Sequence, residues 1–405
     1  MSADSSSTES NLIQGLESPV LVYTDRAFEQ MLQHLSTQPL LALDTESDSL
    51  YRYYPRVCLI QITACAAEDE DEDDTRVVDY LVDPLRLRDL SALASLLAAP
   101  TAEVILHAAE NDILTLQRDF GFTFGRMFDT QLAARVMGWR QVGLAAILED
   151  RFGVVSDKRM QRTNWGQRPL TPQQIAYAQM DTHYLPALRK LQISELQAQG
   201  RWEEAQEAFA ALSQVALRKR ESPARSFWQM KAAREVPRAH TGVLEALWQW
   251  REQEAQRQDR PPFKIVSEPV LATLALEQPA DKRALRSIHG LSEQQVQRHG
   301  TDLVQAILDG RARPLPPEPE PNLRPEQLLD RRTLARYDRL RRWRTRTAEQ
   351  RGVEPDIVFS NSVLLEIAQR MPQSPAELEQ LPEIGLWKAK TYGAEILRLV
   401  NRPTE

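Results

Sequence analysis

The hydrophobic pattern of this chain changes character near residue 200. Before that point, short β-branched runs (PVLVYT, LLALDTE, VCLIQIT and RVVDYLVD) give way to alternating helical and strand-like stretches. Beyond it the β-rich pattern disappears, and two helical segments follow. The change predicts a mixed β-sheet with helices packed on it, followed by all-helical domains.

The two helical segments resemble each other. Val270 corresponds to Val363 and Gly300 to Gly393, each 93 residues apart, while Gly290 and Gly385 lie 95 apart. Solenoid repeats have periods of about 20–50 residues, so this longer period indicates a duplicated domain. The proline-rich sequence between the copies, RPLPPEPEPNLRP, predicts an extended spacer.

The negative charge of the chain is concentrated in one place. The formal net charge of −7 by itself argues against a nucleic-acid partner. Seven consecutive acids occupy residues 68–74, however, and outside them 50 acidic residues balance 50 basic ones. Such a run is typical of a solvated hairpin tip. Composition therefore does not exclude nucleic acid as a partner.

Three further features of the sequence bear on where in the cell the protein is found. No stretch approaches the roughly 18 consecutive apolar residues of a membrane span, and the N-terminus does not have the pattern of a secretory signal. Cys58 and Cys65 have neither zinc-site spacing nor the density of a disulfide scaffold. We expect a cytoplasmic protein that does not associate with membranes, with both thiols reduced.

Acidic residues end one strand and recur on two predicted helices. Asp44 and Glu46 follow the apolar run LLAL, and alternation along a strand places them on one face. Asp112 falls in the first turn of a later helix, and Tyr177 and Asp181 lie four residues apart on a helix that begins after Thr171. Each is unremarkable alone. Together they form the carboxylate cluster that hard divalent cations require.

These residues carry a family resemblance. Asp44-Thr45-Glu46, the Asp112 segment HAAENDILTL, and Tyr177-x-x-x-Asp181 resemble the three exonuclease motifs of the DEDD superfamily in its tyrosine branch. The sequence KRMQRTNWGQRPLTPQQIAYAQMDTHYL is similar to that of ribonuclease D and its exosome-associated relatives, and the duplicated segments resemble HRDC domains. The resemblance implies a ribonuclease H-like α/β exonuclease domain followed by two helical-bundle HRDC domains.

The resemblance also implies the domain limits. We predict a disordered tail at 1–17, the exonuclease domain at 18–215, a connector at 216–238, the first HRDC domain at 239–311, a proline-rich linker at 312–326, and the second HRDC domain at 327–402.

The implied activity is the removal of 5′-mononucleotides from RNA 3′ ends. By resemblance, Asp44 bridges two Mg²⁺ or Mn²⁺ ions, Glu46 and Asp181 complete the first metal site, and Asp112 holds the second. Tyr177 orients the attacking water. The implied substrates are tRNA precursors or other structured RNA with 3′ extensions, and we expect a monomer. Two alternatives stay open: a DNA 3′→5′ exonuclease with the same site, and a non-catalytic nucleic-acid scaffold.

Further residues are candidates for substrate contact. Lys158, Arg162 and Trp165 precede the third motif and suit a single-stranded 3′ end, although Trp165 equally suits a packing role. In the second repeat, Lys388 and Lys390 follow a turn whose backbone N–H groups can approach a phosphate. The helix at 330–351 has nine arginines and three acids, which suits RNA contact or a solvated face.

Three nearby residues are not assigned to the chemistry. His107 and His183 are expected to be packing residues, or in the case of His183 to support the site from behind. Asp48 is expected to be a surface acid.

Overall fold

The computed structural model describes residues 16–66, 77–212, 226–318 and 325–402. These form two compact units. The first unit contains residues 16–47, 57–66, 77–212 and 325–402, and the second contains 48–56 and 226–318. The segment 48–56 thus belongs with the second unit, although it lies inside the range predicted for the exonuclease domain.

Six strands of the first unit form one mixed sheet within the described residues. They are β1 (Val20–Val22), β2 (Leu40–Ser47), β3 (Val57–Cys65), β4 (Val77–Val82), β5 (Glu103–Leu106) and β6 (Arg126–Asp129). Their order across the sheet is β1-β4-β3-β2-β5-β6. The β2/β3 and β3/β4 pairs are antiparallel, and the other pairs are parallel.

Burial along β2 follows its sequence. The apolar residues Leu40 to Leu43 are buried in the sheet centre, whereas the last four residues of the strand are half-buried. The neighbouring strand β3 is buried along its whole length. It is paired with β4 on one edge and β2 on the other, and helices cover the faces of the sheet. The strand β2 therefore leaves the core just where its acids begin.

Eight helices of the first unit follow or flank these strands. They are α1 (Asp25–Leu35), α2 (Ser91–Ala98), α3 (Glu110–Phe120), α4 (Thr130–Met137), α5 (Leu144–Phe152), α6 (Pro172–His183), α7 (Leu185–Ala198) and α8 (Trp202–Leu212). Helix α6 begins as predicted: Thr171 and Gln174 form a reciprocal capping box, with Pro172 at the first helical position.

The two helical repeats have the same succession of elements. In the second unit these are α9 (Thr241–Gln258), α10 (Pro262–Ile265), α11 (Glu268–Glu277), α12 (Lys282–Leu285) and α13 (Glu293–Ala312). In the first unit they are α14 (Arg331–Arg351), α15 (Pro355–Val358), α16 (Asn361–Arg370), α17 (Pro375–Glu379) and α18 (Leu386–Val400). The predicted α/β domain followed by helical domains is confirmed.

The segment 48–56 is held by two aspartates of the second unit. Asp48 is only 1% exposed; it accepts a hydrogen bond from the Arg56 amide (2.9 Å) and pairs with Arg52 (3.1 Å). Asp259, at the end of α9, accepts hydrogen bonds from the amides of Tyr53 (3.1 Å) and Tyr54 (3.2 Å). The expectation that Asp48 is a surface acid is therefore wrong.

Several predictions fall on residues outside the described ranges. These are the tail except for residues 16 and 17, the acidic run at 68–74, the connector up to residue 225, and the linker at 319–324. Among the described helices, none has the length and apolar character needed to cross a membrane.

Candidate active site

The end of β2 supplies the first two carboxylates. In the β2/β3 register, Asp44 lies opposite Gln61 and Glu46 opposite Leu59, and the pairing shifts immediately after Glu46. Alternation places Asp44 and Glu46 on the face covered by α6, which packs on β2, β3 and β4. The two acids are thus held by the most extensively paired strands of the sheet.

Asp112 is positioned from the opposite side of β2. It lies in the first turn of α3 and is 7% exposed. The hydroxyl of Thr45, which points away from the Asp44 face, donates a hydrogen bond to Asp112 Oδ1. The turn before α3 is held by Asp129, which accepts hydrogen bonds from the amides of Ala108 (3.2 Å) and Ala109 (2.8 Å). Strand β6 thereby fixes the entry to the helix that carries Asp112.

Helix α6 supplies the remaining two groups. Tyr177 and Asp181 are one turn apart, and the Tyr177 hydroxyl is hydrogen-bonded to Asp181 and to Gln161. Burial raises the pKa of Tyr177 well above its usual range, and the charges of Asp181 and Glu46 raise it further. Tyr177 is therefore protonated at neutral pH.

The four carboxylates interact electrostatically. Burial, followed by the charges of Asp112 and Asp181, raises the pKa of Asp44 far above its ordinary value. Burial also raises the pKa of Glu46 to about 9, that of Asp181 to about 7 and that of Asp112 to about 6, with contributions from neighbouring carboxylates. Ionising all four groups together therefore requires compensating positive charge.

The donor set fits hard divalent cations. Within the described ranges, no group of three or more His, Cys, Asp or Glu side chains is arranged so that it could hold a metal ion. All four donors are carboxylates, however, which Mg²⁺ and Mn²⁺ prefer, and Mg²⁺ typically retains several water ligands. The mutual repulsion of these acids also favours cations. The site therefore suits ions that are bound partly through water.

A cleft of about 500 Å³ opens at this cluster. Asp44, Tyr177 and Asp181 line it, and Lys158 and Gln161 line it from the loop before α6. The other lining residues are His107, Gln131, Gln141, Gly143, Leu144, Ala145, Ala146, Leu148, Ser156 and Leu185. An exposed lysine beside a carboxylate cluster can neutralise a phosphate that enters the cleft.

The loop before α6 places the other predicted substrate residues differently. Arg162 is exposed, on the short 3₁₀ turn Met160–Arg162. Trp165 is fully buried and packs on Tyr177, with ring centroids 6.1 Å apart. Because its ring is enclosed, Trp165 cannot stack on an RNA base. Its burial favours the packing role over the substrate-binding role. Arg168 stabilises the loop by donating hydrogen bonds to Asp83 (2.6 Å) and to the Trp165 carbonyl (2.7 Å).

His107 lines the cleft, and its Nδ1 lies 2.9 Å from Thr130 Oγ1. Burial lowers the pKa of His107 to about 4, so the ring is neutral at physiological pH.

His183 lies away from the cleft lining, with Nδ1 2.8 Å from Asp79 Oδ2. Asp79 also accepts hydrogen bonds from Thr63 (2.6 Å) and Gln179 (2.7 Å). Burial alone would raise the pKa of Asp79, but the hydrogen bonds from His183, Thr63 and Gln179 hold it below its ordinary value. This network ties α6 to β3 and β4.

Gln61 is a buried residue of β3 that sequence reasoning missed. It is 0% exposed and lies opposite Asp44 in the strand register. Neither its amide nitrogen nor its amide oxygen has a hydrogen-bond partner among the described residues.

The turn that precedes α18 is occupied. The Glu207 carboxylate, on α8, accepts hydrogen bonds from the amides of Gly385 (3.2 Å), Trp387 (2.7 Å) and Lys388 (3.3 Å). The Lys388 ammonium lies 5.4 Å from the centre of the Phe359 ring, and burial lowers its pKa. Of the two lysines predicted to contact RNA here, Lys390 is exposed and Lys388 is half-buried. The expectation that this turn offers its N–H groups to RNA does not hold in this structure, because Glu207 takes them.

Comparison with known proteins identifies the family. Residues 19–194 match the family model described as 3′-5′ exonuclease, and residues 240–307 and 333–400 each match the HRDC domain. A ribonuclease D of Gluconacetobacter diazotrophicus is 30% identical over 390 residues, which cover 95% of this chain and 93% of that protein. This chain belongs to the ribonuclease D family. The predicted family and enzyme class are thereby confirmed.

Other members of the ribonuclease D family agree in sequence and fold. The ribonuclease D of Escherichia coli is 30% identical over 308 residues, 75% of this chain and 78% of that protein. The crystal structure of Escherichia coli RNase D, described as an exoribonuclease involved in structured RNA processing, matches 96% of this chain and all of that chain with a TM-score of 0.61 and 24% identity. That structural match shows the shared fold.

Proposed function

We propose that this chain is a 3′→5′ exoribonuclease that releases 5′-mononucleotides from tRNA precursors or other structured RNA with 3′ extensions. The observation that carries the proposal is that four interacting carboxylates and Tyr177, supplied by β2, α3 and α6, lie together at a cleft that Asp44, Tyr177 and Asp181 line. The proposal includes a cytoplasmic, monomeric enzyme.

Asp44, Glu46, Asp112 and Asp181 would hold two divalent cations, Mg²⁺ or Mn²⁺. Such cations lower the pKa of a bound water and balance the charge of the phosphate and of the leaving 3′ oxygen. The protein contributes the rigid strand end that sets the positions of Asp44 and Glu46 and the Thr45 hydroxyl that orients Asp112.

Tyr177 and Lys158 act on the substrate side of the site. Since Tyr177 keeps its proton at neutral pH and is already hydrogen-bonded to Asp181, it serves as an orienting group for the attacking water rather than as its base. Lys158, which lines the cleft, would contact the phosphate of the terminal nucleotide. Arg162 and Lys390 are exposed and are proposed as further RNA contacts; Trp165 and Lys388 are not, because of their packing.

The test is cleavage of a 3′-extended hairpin RNA and of a matched single-stranded DNA, with Mg²⁺, with Mn²⁺ and with EDTA. We expect mononucleotide release from the RNA only with added metal. Asp44→Asn, Asp112→Asn and Asp181→Asn should each lower kcat by about 10³-fold, because each removes charge that neutralises the cations.

Asp25→Asn is the matched control. Asp25 occupies the first turn of α1, just as Asp112 occupies the first turn of α3, but Asp25 is exposed. Its substitution should therefore leave kcat unchanged. Full activity of the Asp44 and Asp181 variants, or of the wild type in EDTA, would refute the proposal. Faster cleavage of the DNA would favour the DNA exonuclease, and absence of cleavage on both substrates the non-catalytic scaffold.

A further inference from the structure

The second HRDC repeat contains a groove rich in arginine. It has a volume of about 680 Å³ and lies between α14 and the end of α18. The lining residues are Asp338, Arg339, Arg341, Arg342, Thr345, Arg346, Glu349, Leu399 and Arg402. Five arginines therefore face two acids, an excess of positive charge in a chain whose net charge is −7.

Seven of the nine arginines of α14 fall into two groups. Those that support the fold have acceptors: Arg336 bonds to the Ala368 carbonyl, Arg339 to those of Leu399 and Arg402, Arg344 to that of Phe359, and Arg351 to Glu204. By contrast, the guanidinium groups of Arg341, Arg342 and Arg346 form no hydrogen bond or ion pair with any residue that the structure describes. Arg341 lies over the Tyr337 ring, with its Cζ 5.7 Å from the ring centroid, but its N–H donors, like those of Arg342 and Arg346, remain available to a ligand.

The positive charges of the groove are held close to one another. Backbone carbonyls fix the Arg339 guanidinium at 3.3 Å from the Leu399 oxygen and 3.2 Å from the Arg402 oxygen. The pKa of Arg339 is below its ordinary value because of burial and because Arg402, Arg336 and Arg342 are close. Neutral carbonyls do not cancel the charge, so the groove presents a concentrated positive potential.

The first HRDC repeat has the equivalent groove with a different charge. At the offset of 93 residues, Arg342 and Arg346 correspond to Gln249 and Gln253, and Arg402 corresponds to Asp309. These residues of the first repeat line a groove of about 410 Å³, together with Glu254, Asp302, Arg257 and Arg313 among others. Three acids there face two arginines, whereas five arginines face two acids in the second repeat.

The packing of the repeat does not require these arginines. The structural arginine is retained in both copies, since Arg251 and Arg344 bond to the carbonyls of the equivalent residues Val266 (3.5 Å) and Phe359 (2.7 Å). At the positions of Arg342, Arg346 and Arg402, by contrast, arginine occurs only in the second copy.

We propose that this arginine groove binds the phosphate backbone of the structured RNA substrate. Guanidinium groups pair with phosphate oxygens through two parallel hydrogen bonds, and several neighbouring ones suit a polyanion. The turn before α18, the other candidate of this repeat, is occupied by Glu207. The proposal rests on the proposed function and names the surface that holds RNA away from the cleft.

The test measures binding without cleavage. In an Asp44→Asn background, Arg342→Gln with Arg346→Gln installs the residues that the first repeat has at these positions. Binding of a fluorescent hairpin RNA with a 3′ extension is followed by anisotropy over a range of KCl concentrations. We expect about 10-fold weaker binding at low salt and a slope of log K against log salt that is smaller in magnitude by about 1.5–2, since two phosphate contacts are lost.

Two further variants keep the test decisive. Arg370→Gln with Arg398→Gln removes the same charge from exposed arginines of this repeat that are paired with Glu366 and Glu395, and should leave affinity and slope unchanged. Arg342→Lys with Arg346→Lys keeps the charge and should retain most of the slope. If the glutamine variant unfolds at a lower temperature than the parent protein, the lysine variant shows whether the loss of binding follows from the lost charge.

An unaltered affinity of the glutamine variant, or an equal loss in the Arg370/Arg398 control, would overturn the assignment. Because binding is measured in an inactive background, the outcome is independent of cleavage. Failure of the wild type to degrade RNA would count against the proposed function alone.

Discussion

At the scale of single residues, the site combines satisfied and unsatisfied buried polar groups. Asp112 and Asp79 are buried carboxylates with hydrogen-bond donors from Thr45 and from Thr63. Gln61, on the same face of β3 as Thr63, is equally buried without a partner in the described part of the chain. Buried polar groups normally form hydrogen bonds, so substitutions of Gln61 and Thr63 should change the free energy of unfolding in opposite directions.

We expect Gln61→Leu to raise the free energy of unfolding by about 1 kcal/mol, because it replaces an unpaired buried amide with an apolar group of similar size. Thr63→Val should lower it by about 1 kcal/mol, because Thr63 bonds to Asp79 (2.6 Å) and Thr182 (2.8 Å). Chemical denaturation in EDTA measures both. A loss of stability in the leucine variant would mean that the Gln61 amide has a partner.

At the scale of elements, α8 joins the exonuclease sheet to the second HRDC repeat. Phe209 of α8 packs against Phe128 of β6, with ring centroids 4.6 Å apart. On the side of the repeat, Glu204 pairs with Arg351, and Glu207 caps α18. A carboxylate at a helix N-terminus satisfies free N–H groups and interacts favourably with the helix dipole. One helix therefore serves both domains of this unit.

Glu207→Ala should destabilise this junction by about 1–2 kcal/mol, since three backbone N–H groups lose their acceptor. Hydrogen exchange should speed up at residues 385–388 before it does in the sheet. Glu203→Ala is the control, because Glu203 is exposed one turn earlier on α8. Unchanged exchange at 385–388 would show that Glu207 does not hold the turn in solution.

At the scale of the whole molecule, the acids of the site oppose folding when they are charged. Their folded-state pKa values, about 6 for Asp112, 7 for Asp181 and 9 for Glu46, lie above the ordinary values of about 4 in an unfolded chain. The folded state therefore binds protons more readily, and stability falls as the pH rises from about 4 to about 9. Divalent cations should offset this loss.

Asp44→Asn should accordingly raise the unfolding temperature at pH 8 in EDTA, by about 3 °C. The gain should shrink at pH 5, where the neighbouring acids are protonated, and with Mg²⁺, which the wild type binds better. Thermal scans of both proteins under the three conditions provide the check. A lower unfolding temperature of the variant at pH 8 would contradict the repulsion described for the cluster.

Sequence alone predicted the features that depend on short-range periodicity: the Asp44/Glu46 alternation, the Tyr177/Asp181 helical spacing, and the Thr171 cap. It also showed the duplication, since equivalent residues recur at a fixed offset. Motif resemblance added the family. These inferences succeed because each depends on residues that are close in the chain, on the likeness of two segments of the chain, or on the likeness of its motifs to those of a known family.

Tertiary structure decided which distant residues meet. It buried Trp165, brought Thr45 to Asp112, and set Glu207 in the turn that a phosphate was expected to fill. Nor does any local pattern separate the arginines of α14 that bond to carbonyls from those that line the groove. The physical reason is that strand order and helix packing join residues up to 221 positions apart, and their complementarity exists only once the core has formed.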